Sequence, residues 1–346
     1  MHRLVLAAPY GRRCGQHAAM TTERVDAIRL RDAPARGLTR ASLRTGAWTG
    51  VSHGLYQRSE LAAGETARLR ALSELLPPPG AWSHYTGARL LRLWLPTLPG
   101  GLPTFATVPP GLTRPERNGL YVARSRARWF EPLRVDGLNV MPAPLLLGQL
   151  AEDLALLDLV VAIDSALYQR LCTVDTIRQL VLPHQRGGGR LLAAVGLADG
   201  RSESAYETVL RVFHVVCGFS VTPQYEVRDA SGRMVARADL RIDETNRLAE
   251  YDGADHRSAH RHRDDLRREK VLARLGKERY GYTNTEILHQ PGRVLRDAEE
   301  ACGLPHDPRR MRRWLAEVRR STLMPQGRSR LGRRLRRYDN CRTRAQ

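Results

Sequence analysis

Between Arg237 and His256 the chain runs R-A-D-L-R-I, then the polar turn D-E-T-N, then R-L-A-E-Y-D-G-A-D-H. Two short strand-like runs flank that turn, and side chains two apart on a strand share a face. Glu250 and Asp252 therefore project the same way, and the turn brings Asp239 alongside them from the preceding run. His256 follows just past Gly253. Leu248, Ala249 and Tyr251 make the second run semi-buried, so carboxylates on it need partners that compensate their desolvation. The stretch is thus expected in a packed sheet that gathers acids, and not in a free hairpin.

The elements around it complete such a domain over residues 202–300. Ser202 or Ser204 caps a helix that reaches Cys217 and ends at Gly218. Its core stripe is Ala205, Val209, Val212, Phe213 and Val216, while Glu207, Leu210, Arg211 and His214 share another face. Strands are expected at Tyr225–Arg228, Met234–Ile242 and Arg247–Asp252, then a helix from about Asp264 to Leu275, a strand at Lys277–Thr283 and a helix at Thr285–Glu299 broken at Pro291-Gly292. Helix, three strands, helix, strand, helix is a compact α/β domain of ordinary size.

The whole chain has 346 residues, room for two or three domains of roughly 100–200 residues each. Residues 1–19 are expected to be a disordered extension or the product of an upstream start codon. In 20–60, a helix at Thr21–Arg31, a second helix opened by Gly37-Leu38-Thr39-Arg40 with Thr39 as N-cap and Leu43 inward, and a strand near Gly50–Tyr56 outline a winged helix-turn-helix. Any small helical hairpin shares that outline. Residues 61–185 form a mixed middle region. It has helices at Ala62–Leu76, His84–Leu95, Pro144–Leu157 and Leu159–Leu171, and short strands at Phe105–Val108, Leu120–Arg124 and Leu133–Val135. His84, Asp153 and Asp164 are isolated polar groups on its apolar helices and are expected to find local structural partners. The glycine run near Gly187 marks 186–201 as a linker with a short helix, Arg190–Val195. Residues 301–346 are an arginine-rich tail. The fold class expected is α/β, or α+β across several domains.

Net charge is +20, which favours a polyanion such as DNA as partner. Lys270 and Lys277 are the two lysines, an arginine bias that also fits a gene rich in G and C. The charge concentrates in the tail, where fourteen arginines after His306 face Asp307, Glu317 and Asp339. No run reaches the ~18 apolar residues of a membrane span, so no membrane partner is expected. The five cysteines are widely spaced without C-x-x-C, which fits a reducing cytoplasm better than a disulfide framework or zinc knuckle.

Three carboxylates within reach repel one another unless a cation joins them. Mg²⁺, or Mn²⁺, takes such hard oxygen ligands, activates water and stabilises the leaving oxygen of a phosphodiester. The candidate catalytic set is Glu207, Asp239, Glu250, Asp252 and His256. Asp239, Glu250 and Asp252 are the candidate metal ligands, Glu207 a further ligand or holder of a metal-bound water, and His256 the proton handler. The plain alternative is that these acids are simply solvated, as Asp243 and Glu244 are expected to be.

These residues carry a resemblance. S-x-Y-E (Ser204 to Glu207), R-x-D-L (Arg237 to Leu240), E-Y-D-G-x-x-H (Glu250 to His256) and D-x-x-R-x-x-x-L-x-x-x-G (Asp265, Arg268, Leu272, Gly276) are similar to very-short-patch-repair endonucleases, a branch of the PD-(D/E)XK nuclease superfamily. The resemblance implies a restriction-endonuclease-like mixed sheet flanked by helices, with Asp239 and Glu250 as metal ligands. The superfamily's lysine, two residues after the glutamate, is Asp252 here, as is common in that branch. Polarising the water then falls to the metal, His256, Arg268 or Lys270. Asp265 and Arg268 equally read as an ion pair that fixes helix to sheet.

A second, shorter resemblance covers residues 20–57 and, more weakly, 80–180. G-L-T-R-A-S-L-R-T-G, G-V-S-H-G-L-Y-Q and S-H-Y-T-G-A-R-L-L are similar to abortive-infection type IV antitoxins. It implies DNA binding through Arg40 and Arg44, which also read as plain surface charge. For the tail, a helical face of Met311, Trp314, Leu315 and Val318 suggests docking along DNA or on the domain surface, and a frame-shifted disordered extension is the alternative.

Two functions follow as expectations: a Mg²⁺-dependent DNA endonuclease with a winged helix, acting in defence or repair, or an antitoxin-like transcriptional regulator with a non-cleaving nuclease fold. A toxin or a second copy of the chain is a further possible partner.

Overall fold

The computed structural model describes residues 26–125, 131–181, 185–253 and 268–341. The chain has the α/β class and divides into two compact units, Met1–Ala71 and Leu72–Gln346. Cys14, His256 and Asp265 lie outside the described residues.

In the first unit, β1 (Ala27–Arg29), β2 (Trp48–Ser52) and β3 (Leu55–Arg58) form an antiparallel sheet ordered β1-β3-β2. The strand expected near Gly50–Tyr56 is there as a hairpin. The helix expected over Thr21–Arg31 is not, over its described part: Ile28 pairs with Tyr56 and is buried with Leu43 and Trp48. A helix this short is marginal alone, and ladder pairing plus burial overrides its propensity. The second helix shrinks to the 3-10 turn Ser42–Arg44. Thr39 and Ser42 do exchange capping bonds, at 2.9 and 3.1 Å, and Leu43 does point inward. The turn ends at once at Thr45 in extended conformation. Arg40 and Arg44 are exposed there.

In the second unit, five strands order as β6-β5-β4-β8-β7: β4 (Ala81–Trp82), β5 (Thr104–Val108), β6 (Leu120–Arg124), β7 (Leu133–Val135) and β8 (Leu138–Val140). Ahead of and among them run α1 (Gly64–Ser73, which spans the boundary of the units) and α2 (His84–Leu90). Then come α3 (Ala143–Leu150), α4 (Leu156–Tyr168), α5 (Val174–Gln179) and α6 (Gly188–Val195). Helix α4 is buried almost all round, because α3, α6 and two later helices surround it. A helix apolar on every side requires such a central place. Half of the segment read as a linker is α6, where a short helix is expected, and its Leu191, Ala194 and Val195 are buried.

The remaining elements are α7 (Ala205–Val216), β9 (Val221–Arg228), β10 (Met234–Ile242), β11 (Arg247–Tyr251), α8 (residues 268–274), β12 (Glu278–Tyr282), α9 (Asn284–His289) and α10 (Pro291–Ala301). The sheet order is β12-β11-β10-β9; β9, β10 and β11 are antiparallel neighbours and β12 is parallel to β11. The parallel pair needs a crossover, and α8 lies in it. The second face of α7 is not free. Leu210, Arg211 and His214 are as buried as the core stripe, and Arg211 reaches Asp164 of α4 at 2.7 Å.

The tail folds. It forms α11 (Arg312–Arg320) and α12 (Pro325–Leu335), with Trp314 and Tyr338 buried. Trp314 packs edge-on against Phe213 of α7 at 5.3 Å. Asp158 of α4 accepts from Ser321 Oγ at 2.5 Å and from Thr322 N at 3.1 Å. Asp153 accepts from Arg337 at 3.2 Å and Tyr338 Oη at 3.1 Å. A disordered extension is thereby excluded for residues 308–338. The partners of Asp153 and Asp164 are also distant in sequence, where local ones are expected; His84 does bond locally, to Ser83 Oγ at 2.9 Å. Among the described residues no helix is long and apolar enough to cross a membrane.

Candidate functional site

The acids meet on neighbouring strands. Leu240 pairs with Ala249 and Arg241 with Leu248, so one further step of the register sets Asp239 opposite Glu250. Opposed residues of antiparallel strands have Cβ atoms about 4.5–5.5 Å apart, and like charges so placed destabilise the pair. Two devices relieve the repulsion. Asp239 is pushed up to about 7, by burial first and then by the nearby Glu207 and Glu250 charges, against the bond its carboxylate accepts from Tyr251 N at 2.8 Å. Glu250, only 5% exposed, is held by two guanidinium groups. Arg268 donates to its Oε1 at 2.7 Å and Arg279 to its Oε2 at 2.5 Å.

Arg268 belongs to α8 and also donates to the Arg237 carbonyl. It does tie helix to sheet, through Glu250. Sequence reasoning misses Arg279, from β12, because its role depends on a parallel neighbour of β11 that no local pattern reveals. It also approaches Asp252 at 3.5 Å. Glu250 and Asp252 thus share a side, as alternation predicts. Asp252 lies past the strand end and is half exposed, which corrects the expectation of a semi-buried second acid. Its carboxylate fills the space where a side chain at position 281 would be, so Gly281 is needed for close approach.

Glu207 stands at the first turn of α7, set by the Ser204 cap, which accepts from Glu207 N at 3.2 Å. Its carboxylate accepts from Glu203 N and from Gln224 Nε2, both at 2.8 Å. Gln224 sits mid-strand with φ of 50°. Such a non-glycine conformation costs of order 1–3 kcal/mol and tends to occur where geometry serves a site. Tyr206 stacks on Tyr251 at 4.7 Å beside it. Lys270 is exposed on α8.

As a metal centre the arrangement fits poorly. Both oxygens of Glu250 face arginines, and Asp252 leans on Arg279. Among the described residues, no group of three or more His, Cys, Asp or Glu side chains is placed to hold a metal ion.

No protein-family model and no curated protein matches the chain. Among solved structures, the crystal structure of the RV2827C protein from Mycobacterium tuberculosis is similar at 17% identity and a TM-score of 0.35, over 55% of this chain and 76% of that one.

Proposed function

We propose that this protein binds DNA, as an antitoxin-like regulator whose nuclease-like domain does not cut. The reading is supported above all by the double arginine clamp on Glu250: guanidinium groups supply the positive charge that a hydrolytic site would draw from a cation. The exposed Arg40, Arg44 and Lys270 are the proposed phosphate contacts, and Arg268, held by Glu250, is one only if it lets that carboxylate go.

One observation favours the second reading, a Mg²⁺- or Mn²⁺-dependent endonuclease. Asp239 stands opposite Glu250 with Glu207 close enough to raise its affinity for a proton, and a cation would relieve the same charge.

Incubation with plasmid, mismatched and branched DNA, with Mg²⁺ or Mn²⁺, separates the two. The expected result is a gel shift without cleavage. Cleavage by the wild type that disappears in an Asp239→Ala/Glu250→Ala variant overturns the regulator reading in favour of the nuclease.

A further inference from the structure

The arginine-rich tail is an ordered helical hairpin with two distinct faces. On α11, Trp314 and Val318 are buried, and Arg312, Arg313 and Arg319 lie exposed on the other side. On α12, Gly327, Leu331 and Leu335 are buried, and Arg330, Arg333 and Arg336 are exposed opposite them. Gly327 permits the turn between the helices, since a Cβ there would collide with the Ser321 carbonyl. Among the described side chains, three acids nearby are already engaged. Glu317 pairs with Arg320 at 3.2 Å, Glu299 lies 3.4 Å from Arg310, and Asp307 caps the preceding turn through Arg309 N.

We propose that this outer face is a docking surface for the phosphate backbone of duplex DNA, separate from the acidic site. The buried faces explain why the hairpin folds; they leave the exposed arginines unexplained. Six such guanidinium groups on the exposed faces of two packed helices raise the local anion concentration strongly. Arg312 and Arg319, seven residues apart, stand about 10 Å apart along the helix, so they reach different phosphates.

The partner's class follows from what else is on that face. Single-stranded nucleic acid is held by stacking on exposed aromatic rings, and the aromatic residues here, Trp314 and Tyr338, are buried. Anionic membranes take amphipathic helices whose apolar side is available, and here that side faces the protein core. Among the described residues, no large apolar side chain between 309 and 338 is exposed. Charge without stacking or insertion groups matches a regular duplex backbone.

The test uses the full chain, a labelled duplex DNA oligonucleotide and EDTA, with binding followed by anisotropy across a salt series. An Arg312→Gln/Arg319→Gln/Arg330→Gln/Arg333→Gln variant is compared with a charge-matched control at exposed arginines elsewhere, Arg114, Arg124, Arg178 and Arg274. The salt slope is expected to shrink by roughly 0.9 for each phosphate no longer neutralised, up to about 3.6, with affinity down roughly tenfold or more. The control is expected to keep most of both, and thermal unfolding of both variants to match the wild type. An equal loss in the control, or unchanged slope and affinity in the hairpin variant, overturns the inference. Tighter binding of duplex RNA or phosphatidylserine vesicles than of DNA overturns the assignment to DNA. Retained binding in the hairpin variant leaves the regulator reading standing, whereas a wild type that ignores DNA removes both.

Discussion

Arg279, on β12, donates from its Nε to Oε2 of Glu250, on β11, at 2.5 Å, and so joins the parallel pair of strands through a buried charge. Leaving a buried carboxylate short of a partner costs roughly 1–3 kcal/mol, more when charged. Arg279→Leu is expected to lower unfolding free energy by about 1–3 kcal/mol, since Arg268 still holds the other oxygen. Denaturant titration reads this. A cycle with Glu250→Gln is expected to show coupling of at least about 1 kcal/mol, and additive effects would mean the contact is idle.

Asp239 gives the protein a pH signature. Its folded pKa, about 7, lies above the ordinary carboxyl value of 3.8, so the native state retains a proton that the unfolded chain releases. The associated stability is complete below the unfolded value and is lost as pH rises through about 7. Asp164, raised to about 6 mainly by burial, acts in the same direction lower in the range. Between about pH 6 and 7 the wild type is therefore expected to lose about 1 kcal/mol that an Asp239→Asn variant keeps. Identical pH profiles for the two proteins would remove Asp239 from this role.

Arg211 and Asp164 form an ion pair 2.7 Å long between α7 and α4, with side chains 5% and 0% exposed. Asp164 also accepts from Thr208 Oγ1 at 2.9 Å and Asp199 N at 2.7 Å. Arg211→Met strands a buried charge, and breaking such a pair from one side costs roughly 3–5 kcal/mol. Calorimetry is expected to show a large drop in Tm at about pH 8 and a smaller one at about pH 5, where Asp164 takes up its proton. A drop independent of pH would mean that packing alone carries the effect.

The tail is expected to be indispensable. Ending the chain at His306 removes Trp314 and Tyr338 from the core and leaves Asp158 without Ser321 and Thr322. Trp314→Ala alone costs about 3–5 kcal/mol by the usual cavity penalty. Limited proteolysis checks this: the truncated protein is expected to be digested in its middle region, and a resistant fragment of residues 72–306 would contradict it.

Much of the C-terminal sheet is legible in the sequence, because each strand and cap there is written in local pattern. Alternation around Glu250, the Ser204 cap and the break at Pro291 depend on residues a few positions apart. So does the shared side of Glu250 and Asp252. The first unit departs from expectation where the local signal is weakest: residues 27–29 become strand because β3 offers them hydrogen bonds and a place for Ile28. Likewise the arginine-rich composition of the tail suggests a solvated or disordered segment, and the one apolar stripe around Trp314 outweighs it.

By itself, then, the sequence determined the acids, their strand parity and the helices that flank them, all properties of short-range periodicity. Only the tertiary structure decided what neutralises those acids. Arg268 and Arg279 reach Glu250 from 18 and 29 residues away, across a crossover that local pattern does not encode. Whether a carboxylate meets a guanidinium or stands open to a cation depends on that long-range approach, because charge in a buried site is governed by its nearest partners.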